Sequence, residues 1–256
     1  MPEGHTLHKL ARDLSRDFVG KTVSASSPQG RFKEGAARID GRKLSAAEAW
    51  GKHLFLRFGR THVHVHLGLF GRFRRRRMPP PTRCGAVRLR LEDSRWIWDL
   101  SGPTACEILS LRERTALIDR LGPDPLRSNA DPDAALARIA QSRRSIGALL
   151  LDQSVIAGIG NVYRAEVLFL AGIHPERTGR SLTDSERADL WSRSVALLRR
   201  GAELGRIVTV DEPGRTSGER LWVYKRRVCK RCSSRIRSST IASRKIWNCP
   251  RCQPAA

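Results

Sequence analysis

Apolar residues near the N-terminus recur with the period of an α-helix. They fall at spacings of three and four residues, so that they share one helical face. The residues of this face are Leu7, Leu10, Ala11, Leu14 and Phe18. The spacing predicts a helix over residues 3–18 with one buried side. Pro2 stands just before it, at a position where the missing backbone N–H costs little.

From about residue 21 to residue 110 the apolar pattern changes from helical spacing to alternation. The clearest examples are residues 53–58, 63–67 and 87–91. Such alternation is typical of strands that bury one face in an antiparallel sandwich or barrel. Arg74–Arg77 is followed by Met78 and three prolines, a combination that predicts an exposed basic loop between strands.

The second half of the chain has a different pattern. Residues 122–126 contain two prolines and a glycine and predict a linker, and helical periodicity dominates from about residue 131 to residue 205. The last segment is short and rich in cysteine. The sequence therefore predicts a three-part α+β chain: a mostly β part over 1–121, a helical part over 122–219 and a small metal module over 220–256.

Composition narrows the class of protein. The chain has 256 residues, of which 40% are hydrophobic, enough to bury a core. No stretch approaches the ~20 apolar residues of a membrane helix, and residues 1–10 lack the apolar core of a secretion signal, so we expect a cytoplasmic protein. The net charge of +23 favours a polyanionic partner, with nucleic acid as the first candidate. The alternative is a protein that is merely rich in arginine.

Four of the six cysteines are arranged as two closely spaced pairs. They are Cys229, Cys232, Cys249 and Cys252, so that each pair is separated by two residues and the pairs by sixteen. This spacing is typical of a tetrahedral zinc site in which a hairpin brings the second pair back to the first. Two redox-active CxxC motifs or a pair of disulfides are the alternative, which the expected compartment disfavours.

A glycine-bearing turn lies in the helical part. The sequence predicts that one helix ends near Asp152 or Gln153, and that a second begins near Asn161 after Gly158 and Gly160. Asn161 at a helix N-terminus can cap the helix or donate its amide to a phosphate beside free backbone N–H groups. A helical hairpin without a ligand fits the same residues.

Three motifs together resemble the formamidopyrimidine-DNA glycosylase/endonuclease VIII family. They are Met1-Pro-Glu-Gly4, the run from Asp152 to Asn161, and the four-cysteine segment, and they occur in the family's order over nearly the whole chain. The resemblance implies a bifunctional DNA glycosylase/AP lyase of base-excision repair. It further implies an N-terminal β-sandwich with a flanking helix, a helix–two-turn–helix domain and a zinc-ribbon hairpin. The resemblance implies one structural zinc ion as the cofactor and damaged duplex DNA as the partner. It also implies a monomer that is associated with the nucleoid.

The resemblance also assigns catalytic roles. Once Met1 is removed, Pro2 offers a secondary amine whose pKa lies far below that of a lysine, so it can attack C1′ of a damaged nucleoside. The family's matching residues make Glu3 an acid/base, Lys52 a phosphate contact that assists catalysis, and Arg244 a phosphate contact that supports δ-elimination. Without the resemblance these residues would indicate an ordinary helix start and solvated surface cations; Arg235 and Arg237 compete with Arg244 but lack its offset from the third cysteine.

Further residues are expected to contact DNA. The loop around Leu69 and Phe70 corresponds to the family's void-filling loop, which wedges into the stack where a base has been extruded; core packing at a strand end is the alternative. Asn161, Tyr163 and Arg164 are expected at the phosphate backbone. Three histidines alternate on one strand, and we interpret the first two as surface positions rather than metal ligands. They are His62, His64 and His66.

Residues 98–107 indicate the branch of the family. The oxidised-purine branch carries a loop there with an arginine and a phenylalanine, and this sequence has neither. That favours an endonuclease VIII-type enzyme acting on oxidised pyrimidines. An oxidised-purine glycosylase and a non-catalytic zinc-ribbon DNA-binding protein remain the alternatives, and a preference for single-stranded or bubble DNA is left open.

Overall fold

The structure is a computed structural model that describes residues 2–79, 85–211 and 219–255. The chain forms two compact units, Met1–Arg120 and Leu121–Ala256. Within the described ranges, no helix combines the length and apolar character that crossing a membrane requires.

The N-terminal unit contains three helices and nine strands among its described residues. Its helices are α1 (Gly4–Phe18), α2 (Lys33–Ala37) and α3 (Leu111–Asp119). Its strands are β1 (Thr22–Ser26), β2 (Arg42–Lys43), β3 (Ala46–Trp50), β4 (His53–Phe58), β5 (Thr61–His66), β6 (Arg72–Arg77), β7 (Val87–Glu92), β8 (Trp96–Ser101) and β9 (Ala105–Leu109).

The strands form two antiparallel sheets that share one core. One sheet has the order β2-β1-β7-β8-β6 and the other β3-β4-β5-β9. Alternate residues of β4, such as Leu54 and Leu56, are fully buried and belong to the same apolar cluster as Leu89 and Leu100 of the first sheet. The predicted β-sandwich is therefore confirmed, and alternation along the strands is its cause.

Helix α1 covers this core as the flanking helix. It begins one residue later than predicted and ends at Phe18. Leu7, Leu14 and Phe18 on its apolar face are each at most 1% exposed, and the helix packs against β3 and β4. The helical spacing of apolar residues thus fixes which side of α1 faces the sandwich.

The basic loop predicted at Arg74–Arg77 is wrong, because these residues belong to strand β6. Phe73 buries its ring in the core, and Arg75 pairs with Asp17 at 2.6 Å and lies 3.3 Å from the centre of the Trp96 ring. These contacts, together with backbone pairing to β8, hold an arginine-rich segment in a strand that its composition alone disfavours.

The C-terminal unit is helical apart from one hairpin. Its described elements are α4 (Pro132–Ala140), α5 (Ile146–Leu149), α6 (Asn161–Leu170), a 3₁₀ turn (Gly179–Ser181), α7 (Asp184–Leu204), β10 (Arg237–Ile241) and β11 (Arg244–Asn248). Thr183 and Glu186 form a reciprocal capping box at the start of α7. The mixed α+β architecture and the hairpin agree with the predicted fold class.

Two helices flank the glycine-bearing turn, and only the end of the first one differs from the prediction. Helix α6 begins at Asn161 as predicted, but α5 ends at Leu149 rather than near Asp152 or Gln153. The Asp152 carboxylate forms a local turn instead, because its Oδ1 accepts hydrogen bonds from the backbone N–H and the hydroxyl of Ser154. A side chain that accepts from a backbone N–H two residues further on competes with helix continuation.

Candidate functional site

Pro2 and Glu3 lie at the start of α1. Pro2 is half-buried, and Glu3 is fully buried at the N-cap position, where its backbone carbonyl accepts from Thr6 N–H at 2.9 Å. The Glu3 side chain does not cap the helix. The carboxyl group is thus held in the interior at the start of the helix without serving as its cap.

Lys52 lies in the two-residue turn between β3 and β4. Trp50 and His53 form the last pair of the ladder, which leaves Gly51 and Lys52 as the turn. Gly51 has φ of +56° in the first central position, as in type II′ turns. The Gly-Lys dipeptide therefore explains why the lysine stands at the tip of this hairpin.

The direction of α1 brings its start towards the Lys52 turn. Near the end of the helix, the Ser15 hydroxyl donates to the Ala47 carbonyl at the beginning of β3. Just beyond the helix, Gly20 N–H donates at 2.9 Å to the carbonyl of Leu44, which lies before β3. The helix and the strand therefore run in opposite directions. The stretch from Ser15 back to Glu3 covers about 18 Å, and the stretch from Ala47 to Lys52 about 17 Å. Glu3 and Lys52 are thus at the same end of the sandwich.

A hydrogen-bonded row of side chains lies next to Lys52. His53 Nδ1 lies 2.9 Å from His64 Nε2, and His64 Nδ1 lies 2.9 Å from Glu107 Oε1. Burial, followed by the neighbouring His64, His66 and Lys52 charges, lowers the pKa of His53 to about 3. The row is therefore neutral at its His53 end at physiological pH.

The prediction that His62 and His64 are surface positions is wrong. Their side chains are buried, with exposed fractions of 6% and 3%. Alternation placed them on the sheet face opposite the apolar core, and sequence could not reveal that this face is also covered. They do not join a metal-binding cluster among the residues described.

Leu69 and Phe70 project from a tight loop between β5 and β6. They are 53% and 82% exposed, which argues against core packing. Gly68 has φ of +63°, and a Cβ there would lie 1.9 Å from the Thr104 hydroxyl oxygen. A Cβ on Gly71 would lie 2.2 Å from the backbone carbonyl oxygen of Leu67. The two glycines thus allow the close turn that presents two apolar side chains to solvent.

Residues 98–107 are taken up by two strands and a short turn. They run from within β8 through residues 102–104 into β9. Thr104 N–H donates to the His66 carbonyl at 2.9 Å, which ties this turn to the end of β5. The turn leaves no room for a projecting loop of the kind that carries an arginine and a phenylalanine.

In the C-terminal unit, Asn161 is the first residue of α6 but does not cap it. The N-cap is Gly160. Asn161 Nδ2 donates to the Lys245 carbonyl at 3.0 Å, and its Oδ1 accepts from Arg164. The side chain is 9% exposed, and its amide binds the hairpin to the start of α6.

Tyr163 and Arg164 are both fully buried, so the prediction that their side chains contact DNA is wrong. The guanidinium of Arg164 donates to the carbonyls of Gly147 and Ile241 at 3.1 and 3.2 Å and of Lys245 at 3.2 Å. Arg164 therefore links α5, α6 and the tip of the β10–β11 hairpin. Its position among buried apolar residues of α6 was the signal for an interior polar link.

The loop between α5 and α6 is organised by Gln153. Its Nε2 donates to the carbonyls of Leu151 and Ile159 at 2.8 and 3.0 Å, and its Oε1 accepts from Gly158 N–H at 3.0 Å. One amide side chain thus closes the turn from inside and fixes the direction in which α6 begins.

Arg244 stands at the tip of the β10–β11 hairpin. It follows the turn residues Ala242 and Ser243 and is exposed. Both turn residues have positive φ, +52° and +59°, the conformation of a type I′ turn that usually needs Asn-Gly. The carbonyl of Arg244 accepts from Arg164 at 3.4 Å, so its backbone is held while its side chain is directed to solvent.

The four cysteine sulfurs form one tight cluster. All four Sγ atoms lie within 4.8 Å of one another, with Cys229–Cys252, Cys232–Cys249 and Cys232–Cys252 separations of 3.9, 3.4 and 3.5 Å. Tetrahedral zinc with Zn–S bonds of about 2.3 Å places its sulfurs about 3.8 Å apart. The donor set and spacing therefore fit a metal ion of this type.

Two buried polar residues that sequence reasoning missed support this region. The Glu166 carboxylate accepts from the backbone N–H groups of Trp222, Val223 and Tyr224 at 2.7–2.9 Å, and burial raises its pKa. Gln253 accepts from Cys249 N–H at 3.0 Å and donates to the Ile173 carbonyl at 2.8 Å. Helix α6 thus anchors the approach to the cysteine cluster, and Gln253 fixes its end.

Comparison with known proteins gives concordant results. Residues 1–100 match the formamidopyrimidine-DNA glycosylase N-terminal domain, and residues 121–212 match the formamidopyrimidine-DNA glycosylase H2TH domain. Endonuclease 8 1 of Mycobacterium tuberculosis is 46% identical over 268 residues, covering 99% of this chain and 100% of the relative. Formamidopyrimidine-DNA glycosylase of Halorhodospira halophila is 34% identical over 272 residues, with 99% and 100% coverage.

A solved structure agrees with the fold. Formamidopyrimidine-DNA glycosylase of Lactococcus lactis, bound non-covalently to DNA containing an AP site, is similar with a TM-score of 0.82 and 25% identity. The similarity covers 99% of this chain and 100% of that one. The sandwich, the turn motif before α6 and the cysteine hairpin therefore have one explanation: the chain belongs to the formamidopyrimidine-DNA glycosylase/endonuclease VIII family of DNA repair glycosylases with AP lyase activity.

Proposed function

We propose that this protein removes oxidised pyrimidines from duplex DNA and then cuts the strand by β- and δ-elimination. The observation that carries the proposal is the placement of Pro2 and buried Glu3 at the end of α1 that the Lys52 turn shares. Removal of Met1 frees the Pro2 amine as the nucleophile.

The chemistry follows from these groups. The Pro2 nitrogen forms a bond to C1′ while the N-glycosidic bond breaks, and the base leaves with its bonding electrons and a proton. Because Pro2 is a secondary amine, opening of the sugar ring gives a charged iminium. That charge acidifies C2′, and loss of a C2′ proton expels the 3′ phosphate; a second elimination expels the 5′ phosphate.

Glu3 and Lys52 have separate roles in this scheme. Glu3 protonates the ring oxygen of the sugar as the ring opens, which a carboxylic acid in a buried position can do. Lys52 binds a backbone phosphate next to the lesion and fixes the sugar in line with Pro2. Both roles require that the two side chains reach the bound nucleotide from the same end of the sandwich.

The C-terminal unit contributes phosphate binding. Arg244 offers a forked guanidinium at the hairpin tip, and Asn161 at the start of α6 offers a second contact to phosphate. A zinc ion held by Cys229, Cys232, Cys249 and Cys252 is structural and braces the hairpin that carries Arg244. We further propose that the C-terminal unit consists of a helical part that ends near residue 219 and a metal module that follows it.

The choice of oxidised pyrimidines rests on residues 98–107. Their short turn lacks the arginine and phenylalanine that the purine-specific branch places opposite the lesion. Leu69 and Phe70 then fill the gap left by the extruded base. The 46% identity to a relative named Endonuclease 8 1 supports the same branch.

Single-turnover excision tests the substrate class. Duplexes with 5-hydroxyuracil and with 8-oxoguanine are compared under the same conditions, and the 3′ ends of the products are separated on gels. Faster excision of 5-hydroxyuracil, with phosphate at both ends of the gap, is expected. The Glu3→Gln variant is expected to lose excision while still binding DNA. Faster excision of 8-oxoguanine would contradict the substrate assignment.

A further inference from the structure

The outer face of strand β6 carries an unusual row of arginines. Arg72, Arg74 and Arg76 alternate along the strand and are all exposed. β6 is the last strand of its sheet. Residues two apart on a strand point to the same face about 6.8 Å from each other, so the three guanidinium groups form a line.

The positive charge of this row is not neutralised by the protein itself. Among the residues described, no carboxylate lies within 4.0 Å of Arg72, Arg74 or Arg76 in an ion pair. Asp99 stands opposite Arg74 in the ladder, but Arg90 holds its two oxygens at 2.7 and 2.9 Å. Three like charges in line repel one another, so the row is suited to an external polyanion.

The row starts beside the void-filling loop and leads away from it. Arg72 follows Phe70 by two residues, and the distance along β6 from Arg72 to Arg76 is about 14 Å. Phosphates on one strand of B-DNA advance by about 3.4 Å per nucleotide along the helix axis. The row therefore has the length of about four nucleotides.

The row is also distant from the reaction centre. Arg75, in the same strand, pairs with Asp17 near the C-terminal end of α1. Pro2 lies fifteen residues earlier, at the other end of the same helix, about 22 Å away. Contacts made by the far end of β6 are thus separate from those around the nucleophile.

We propose that Arg72, Arg74 and Arg76 bind backbone phosphates of the duplex on one side of the lesion, along the direction of β6. This inference rests on the proposed insertion of Leu69 and Phe70 at the lesion. Guanidinium forks suit phosphate oxygens and carry no base preference. The row lengthens the footprint on DNA and leaves the chemistry to Pro2.

The test uses a triple variant and a matched control. Arg72→Gln, Arg74→Gln and Arg76→Gln are combined in the full-length protein. The control combines Arg31→Gln, Arg38→Gln and Arg42→Gln, which remove the same charge from exposed positions around α2 and β2, at the other edge of the sheet. Binding to a duplex with a non-cleavable abasic analogue is measured by anisotropy over a salt series.

Each phosphate contact contributes about 0.9 to the slope of log K against log salt. The β6 variant is expected to lose about 2–3 units of slope, and the control less than one. Two further duplexes are tested, in each of which one of the two flanks of the abasic site is shortened to about three base pairs. The effect of the β6 variant should vanish on one of them and persist on the other, because the row leads in one direction.

Several outcomes would overturn the proposal. Equal loss in the variant and the control would indicate general electrostatics. Unchanged affinity with self-association on a sizing column would indicate that the row only protects a sheet edge. Borohydride trapping at an abasic site at saturating protein should be unchanged in the variant; loss of trapping would place the row in the reaction centre and contradict a flanking role. Absence of trapping in the wild type would refute the proposed function instead.

Discussion

Replacing Arg164 with methionine removes a fully buried guanidinium and keeps most of the apolar stem. The carbonyls of Gly147, Ile241 and Lys245 each lose a donor that lies 3.1–3.2 Å away. A buried acceptor left without its partner costs about 1–3 kcal/mol. The Lys245 carbonyl keeps the Asn161 amide as a donor at 3.0 Å, so the two remaining acceptors, partly relieved by local rearrangement, give an expected loss of about 2–4 kcal/mol in unfolding free energy.

Urea unfolding followed by tryptophan fluorescence measures this loss, with bound zinc measured in parallel. Arg237→Met is the matched control, because Arg237 is exposed in β10 of the same hairpin; we expect its effect to stay within about 0.5 kcal/mol. Arg164→Lys should recover little, since one ammonium cannot reach carbonyls that a planar fork spans.

The same substitution has a functional consequence. Arg164 fixes the backbone of the hairpin tip at Ile241, Arg244 and Lys245. At saturating DNA, Arg164→Met should therefore raise the ratio of β- to δ-elimination products while β-elimination continues. A change in unfolding free energy below about 1 kcal/mol, or an unchanged product ratio, would refute the reasoning that this buried residue positions Arg244.

Three further outcomes are expected. Burial lowers the pKa of His5 to about 4 and that of His53 to about 3. Below pH 6.5 the unfolded state therefore binds more protons than the folded state, so stability should fall from pH 6.5 towards pH 4 by up to about 1.4 kcal/mol per pH unit for each histidine. A Tm that stays constant over this pH range would contradict the expectation. Native mass spectrometry should find one zinc ion per chain, lost in Cys249→Ser; retention in that variant would exclude the four-cysteine site. Ser243→Gly should stabilise the protein by about 1 kcal/mol because Ser243 has φ of +59°, and a lower Tm would show that the turn is not strained.

The spacing of apolar residues along the chain predicted the elements whose position depends only on nearby residues. The apolar spacing of α1 and the alternation in β4 each specify a buried face through periodicity alone, whereas the offset of Arg244 from the cysteines has meaning only through the resemblance to the family. The sandwich and the hairpin follow from these signals together with the resemblance to the family.

The differences have tertiary causes. Arg74–Arg77 forms a strand because Phe73 and Arg75 find partners in α1 and β8, which are remote in sequence. Arg164 was expected at DNA because the resemblance to the family extended from Asn161 to its neighbours, whereas its partners include backbone carbonyls about 80 residues further on. Such partners leave no periodic signal.

The most direct test of the central claim is borohydride trapping on an abasic duplex, followed by peptide mass analysis of the adduct. The account predicts a covalent DNA adduct on the N-terminal peptide at Pro2, with Met1 removed, and its loss or strong reduction in Pro2→Gly. An adduct on a lysine such as Lys52, or no adduct from a protein that has lost Met1 and still binds the duplex, would contradict it.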